Sequence, residues 1–83
     1  MVIEENWAIS LPRIQAFFTR YPQTRLDGEA FLLDGCRVTL TALPLGSVGP
    51  FPVSRTLVRF EGEELQVRAL YREFFLEFLS AGG

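Results

Sequence analysis

The sequence predicts an α+β fold in the order helix, three-stranded antiparallel sheet, helix (α-β-β-β-α), with both helices on one sheet face, as a single small domain over residues 1–83. Three observations carry that expectation. Two stretches, near 11–21 and 63–80, repeat apolar residues at helical spacing. Between them FLLDGCRVTL, residues 31–40, folds two short apolar runs about an Asp-Gly pair, the pattern of a tight hairpin. Finally, 83 residues with 48% hydrophobic side chains, eight of them phenylalanine, suffice for one small core. A chain of this size buries about 60 to 65% of the surface that its unfolded form exposes.

The elements follow in order. Ser10 before Leu11-Pro12 reads as a helix start, with a hydroxyl to cap free amides and a proline where its missing donor costs little. Trp7 is expected to staple the entry. Leu11, Ile14, Phe17 or Phe18, and Tyr21 form the buried stripe, and Pro22 ends the helix. Residues 23–28 hold turn formers and close at Asp27-Gly28. In the hairpin, a two-residue turn at Asp34-Gly35 pairs Leu33 with Cys36, Phe31 with Val38 and Glu29 with Leu40. One face then reads Phe31, Leu33, Cys36, Val38, Leu40 and Ala42, and the other Ala30, Leu32, Arg37, Thr39 and Thr41. Such alternation suits a sheet covered on one side. Leu43 to Pro52 is a glycine- and proline-rich connection in which Phe51 is expected to fold inward. A third strand runs over 53–60 with Thr56, Val58 and Phe60 inward and Arg55, Leu57 and Arg59 outward. Gly62, Glu63 and Glu64 open the second helix, the acids lying at the positive end of its dipole. It ends near Ser80, with Gly82 to cap it.

Over about residues 10 to 80 this order resembles the double-stranded-RNA-binding fold, whose two helices lie on one face of a three-stranded sheet. The resemblance implies a shape and no more. That family grips phosphates with lysines at the start of the second helix and enters the minor groove with the loop between its first two strands. Here the helix start reads Glu61-Gly62-Glu63-Glu64, which repels phosphate, and the turn at Asp34-Gly35 is too short to reach a groove.

Composition excludes several chemistries. There is no histidine, one cysteine and no lysine; the eight basic residues are all arginine, set against ten acids for a net charge of -2. Without lysine there is neither Schiff-base chemistry nor a P-loop. Without histidine no serine has its usual base, and zinc and haem lose their commonest ligand. A lone cysteine forms no internal disulfide. On the hairpin register Cys36 is a small core residue, and the one cation beside it, Arg37, points to the other face and does not lower its pKa. The chain is therefore expected to be cofactor-free and not an enzyme, with no catalytic, cofactor-binding or metal residue nominated. Gly46-Ser47-Val48-Gly49 has the spacing of a phosphate clamp, but no basic residue stands between Leu45 and Arg55. No apolar run approaches the roughly 18 residues of a membrane helix, and the first ten residues are acidic where a signal peptide is basic. A cytoplasmic protein is expected.

Two surfaces remain. On the second helix Val67, Leu70, Tyr71, Phe74 and Phe78 share one side, while Leu65, Leu76 and Leu79 share the other with Arg68 and Arg72. A helix apolar on two faces buries both or exposes one. The leading expectation is thus a non-catalytic protein-interaction or assembly module, a homodimer through its C-terminal helix, with Leu65, Arg68, Arg72, Leu76 and Leu79 at the interface. Glu63, Glu64, Glu73 and Glu77 sit at helical spacing on a flank, where Arg68 and Arg72 are expected to pair with them across one turn. The alternative is an RNA- or anion-binding module that uses Arg37, Arg55 and Arg59 on the outer sheet face, since guanidinium groups bind phosphate and carboxylate through paired donors. The acidic balance makes a protein partner or a second copy the expectation, with nucleic acid and membrane not expected.

Overall fold

A strand, rather than a helix, comes first. The computed structural model describes residues 1–21, 24–28, 30–33, 35–49 and 51–79, and of Asp27, Ser47, Val48 and Phe51 the backbone alone. Its elements are β1 (Val2–Trp7), α1 (Leu11–Thr19), β2 (Arg25–Asp27), β3 (Ala30–Leu33), β4 (Cys36–Ala42), β5 (Gly46–Val48), β6 (Phe51–Val53), β7 (Thr56–Gly62) and α2 (Glu64–Phe78). Five strands form one antiparallel sheet in the order β1-β7-β4-β3-β2, and β5 and β6 pair separately.

The expected order of helix, three strands, helix is therefore wrong, and the resemblance to the double-stranded-RNA-binding fold falls with it. The fold is α+β, but its sheet has five strands and its first helix follows a strand. The omissions have physical causes. In VIEENW the residues that face the helices are Ile3, Glu5 and Trp7, so a carboxylate interrupts the apolar alternation. It is tolerated because the Tyr71 hydroxyl donates to Glu5 Oε1 at 2.6 Å and the Trp7 indole nitrogen donates to the same atom at 3.2 Å. Strand β2 is three residues long, too short for any periodicity. The glycine- and proline-rich connection folds back on itself, with Gly46 opposite Val53.

The central register agrees with the one read from the hairpin. Leu33 pairs with Cys36 and Phe31 with Val38. Strand β7 continues the row, with Phe60 opposite Val38 and Val58 opposite Leu40. Thr56, Val58, Phe60 and Val38 are fully buried, and the Thr56 hydroxyl donates to the Ile9 carbonyl at 2.7 Å. Both helices press on this face. Phe18 of α1 meets Phe31 and Phe60 at ring separations of 5.7 and 6.0 Å, and Phe74 of α2 meets Phe60 at 5.5 Å. Phe18 and Phe74 stack on each other, nearly parallel at 5.8 Å. One cluster thus joins both helices to the sheet.

Two local details differ from expectation. Ser10 occupies the N-cap position of α1 with an extended backbone, but its hydroxyl makes no capping bond. Gly62 does more than open α2. Its φ is 150°, and a Cβ there would lie 2.1 Å from the Gly35 carbonyl oxygen, so the end of β7 passes against the hairpin turn where no side chain fits. The adjoining Glu63 amide donates to that same carbonyl at 3.0 Å. The expectations for Pro22, Glu29, Asp34, Ser80 and Gly82, and for the side chains of Ser47, Val48 and Phe51, lie outside the described residues. Among the described residues no helix is long and apolar enough to cross a membrane.

Candidate functional site

The sequence of α2 places two apolar faces on one helix, and the fold covers one of them. Val67, Leu70, Phe74 and Phe78 are buried against the sheet and α1, with Tyr71 packed beside them. Leu65, Leu76 and Leu79 are 78%, 62% and 55% exposed. Arg68 and Arg72 stand among them, also exposed. At about 100° per residue these side chains occupy one continuous arc, into which Phe75 enters from the side nearest β1. Phe75 is the largest exposed ring on the helix, 6.0 Å from Trp7.

The charges of α2 are arranged only in part as expected. Glu73 and Glu77 do not pair with Arg68 and Arg72. They lie on the flank that faces α1, where Tyr21 donates to Glu73 and Arg20 reaches Glu77 at 3.0 Å. Arg68 does pair with Glu64, one turn earlier, at 2.9 Å, as expected. Arg72 has no partner among the described residues. The acids of α2 thus serve the packing of α1 or pair within their own helix, and Leu65, Leu76 and Leu79 stand beside Arg72 and the Arg68–Glu64 pair. Burial, then the Glu73 hydrogen bond and charge, pushes the Tyr21 phenol well above its ordinary pKa. Burial, then Glu5, raises that of Tyr71 to about 12. Both phenols therefore hold their protons at neutral pH and act as donors that tie the helices to each other and to β1.

The arginine face is largely answered from within. Strand β1 lies beside β7 and brings two polar residues that the sequence reading left outside the sheet. Arg59 pairs with Glu4 at 3.3 Å and with Glu61 at 3.8 Å. The Arg55 Nε donates to Asn6 Oδ1 at 2.7 Å. Arg37 stands opposite Glu61 across the ladder and is itself engaged. The three arginines share one sheet face, as expected, but Glu4, Asn6 and Glu61 share it with them. The missed partners had one sequence signal, the position of Ile3 and Trp7 four residues apart on either side of Glu5, which fits a strand only if the carboxylate is satisfied.

Three clefts are lined by described residues. One lies between the helices, lined by Arg13, Phe17, Arg20, Glu77 and Phe78. The second lies where β1 meets α2, lined by Glu5, Asn6, Trp7, Tyr71 and Phe75. The last is bounded by Leu11, Gln15, Gly28, Leu40 and Thr41. Cys36 opens into none of them. It is 6% exposed, and burial pushes its thiol up, away from the reactive thiolate. No protein-family model matches the chain, and no curated protein matches it.

Proposed function

We propose that the protein is a non-catalytic assembly module that forms a homodimer through the outward face of α2. The observation that carries the reading is the exposure of Leu65, Leu76 and Leu79 on a helix whose opposite face is already buried. Burying a leucine contributes about 1.5 to 3 kcal/mol, so covering these three in both copies gains on the order of 9 to 18 kcal/mol gross. Association costs roughly 4 to 15 kcal/mol in lost rigid-body freedom, before side-chain ordering. The two ranges overlap enough to give a concentration-dependent dimer. Sedimentation from low to high micromolar concentration should show the mass double, and a chain that remains at the 9.4 kDa of one copy throughout overturns the reading.

The arginine face supports an anion-binding role less well, because Arg55 and Arg59 already hold Asn6, Glu4 and Glu61. An electrophoretic shift of a labelled oligonucleotide that weakens steeply with salt would restore that alternative.

A further inference from the structure

The sheet has two edges of unequal character. Strand β2 offers three residues, whereas β1 offers six, with no proline and no bulge in its pairing with β7. Short edges protect themselves, while a regular edge is a template for another strand. The parity of β1 is set at its first pair. The Met1 nitrogen donates to the Gly62 carbonyl at 2.9 Å, and the Gly62 amide donates to the Met1 carbonyl at 3.1 Å. The register then runs through Ile3 opposite Phe60 and Glu5 opposite Val58. Met1, Ile3, Glu5 and Trp7 therefore turn their backbone groups toward β7, and Val2, Glu4 and Asn6 turn theirs to the open edge.

An edge is often blocked by a charge on its covered side. Glu5 is placed there, yet it is held over its own domain by Tyr71 and Trp7. Glu4, on the other face, is matched by Arg59. Neither carboxylate guards the edge unanswered. Helix α2 stands over the same edge: Trp7 lies 5.0 Å from Phe74 and 6.0 Å from Phe75, and Tyr71 reaches Glu5. Its Glu73 and Glu77 flank faces α1. The opposite flank, carrying Phe75, Arg68 and Leu79, lies on the β1 side.

We propose that two copies join through β1 across a two-fold axis, antiparallel, with Glu4 opposite Glu4 of the second copy and Val2 opposite Asn6. One sheet then runs through both copies, and the two α2 helices lie side by side above the join. The inference rests on the reading that the chain self-associates, but it sets the join at β1 and the Phe75 and Leu79 flank of α2, with Leu65 and Leu76 left outside it. Facing residues must lie on the same side of the sheet, which restricts the choice of centre. A centre at Glu5 sets two carboxylates against each other on the covered face, at the close spacing of about 4.5 Å for non-hydrogen-bonded pairs. A centre at Glu4 also sets two carboxylates opposite each other, but on the open face, at the wider spacing of about 5.5 Å for hydrogen-bonded pairs and each beside its own Arg59, and it engages Val2, Glu4 and Asn6 in every available backbone bond. A second copy is the fitting occupant because this edge is complementary to itself, and because a copy brings another α2 to cover Phe75 and Leu79.

Amide hydrogen exchange, read residue by residue at concentrations below and above the dimer transition, tests the join. The Glu4 and Asn6 amides should exchange freely in the monomer and slow by on the order of tenfold or more in the dimer, while Ile3 and Glu5 stay protected in both. Glu4→Pro removes a donor that β7 does not use, so it should give a folded monomer with dimerisation weakened about a hundredfold or more. Glu4→Ala, which loses the ion pair alone, should still dimerise. A dimer whose Glu4 and Asn6 amides remain unprotected, or a Glu4→Pro variant that still pairs, overturns the edge join and leaves the α2 reading standing. A wild-type chain that never dimerises overturns both.

Discussion

Leu70 and Leu76 lie on the same helix, less than two turns apart, and meet opposite fates: the first is 7% exposed and the second 62%. The inner face of α2 is specified by its neighbours. Phe74 touches Trp7, Phe17, Phe18, Phe60 and Phe78, so it locks the helix to β1, α1 and β7 together. The outer face has no such neighbours, and its leucines stay more than half exposed in one copy. A helix with serine or glutamate at those positions would fold as well. Apolar pattern alone does not separate stability from association. The charged flanks do, because Glu73 and Glu77 mark the side turned to α1 and so leave the leucines as surplus.

The largest test of this contrast is Phe74→Ala. Removing the ring that joins both helices to the sheet should cost about 3 to 5 kcal/mol, read as a fall in the urea midpoint at unchanged slope. A cost near that of a surface change would erase the distinction between the two faces. Next is Gly62→Ala, where a methyl group meets the Gly35 carbonyl. It should destabilise by about 1 to 3 kcal/mol, because the start of α2 is pinned to the hairpin turn there.

The polar ties of the inner side sharpen the comparison further. Tyr71→Phe removes the bond to Glu5 and should cost about 0.5 to 1.5 kcal/mol at neutral pH. The same phenol gives the fold an alkaline limit. Its pKa is raised by burial and then by Glu5 to about 12, against about 10 in the unfolded chain. Between those values the unfolded chain has lost a proton that the folded one keeps, so stability falls as pH rises through that window. The contribution is present in full below pH of about 10. Denaturation followed at stepped alkaline pH should show a shallower decline for Tyr71→Phe than for the wild type, with Tyr21 accounting for part of what remains.

Legibility in the sequence followed the strength of local pattern. The pairing of β3 with β4 was legible over its described residues because one buried face fixes the parity, and Cys36 falls on the covered side accordingly. Both helices and the inward set Thr56, Val58 and Phe60 were readable for the same reason. Strand β1 was not, since Glu5 occupies a covered position whose acceptability depends on Tyr71, 66 residues away. Strand β2 and the β5–β6 pair were too short to show a period. On the helix surface the leucine arc was legible, but the partners of Glu73 and Glu77 were not. They depend on how α1 crosses α2, which no local spacing encodes. The arginine face was legible as a face, but its internal partners were not, because Glu4 and Asn6 arrive on the strand that went unseen.

The most direct test of the central claim is Leu76→Glu, with stability and mass measured on one sample. At a concentration where the wild type is monomeric, the variant should keep the wild-type urea midpoint to within about 0.5 kcal/mol. At high micromolar concentration, where the wild type sediments as a dimer, it should remain a folded monomer. A variant that unfolds would place Leu76 in the core, and one that dimerises as well as the wild type would remove the outward face of α2 from the interface.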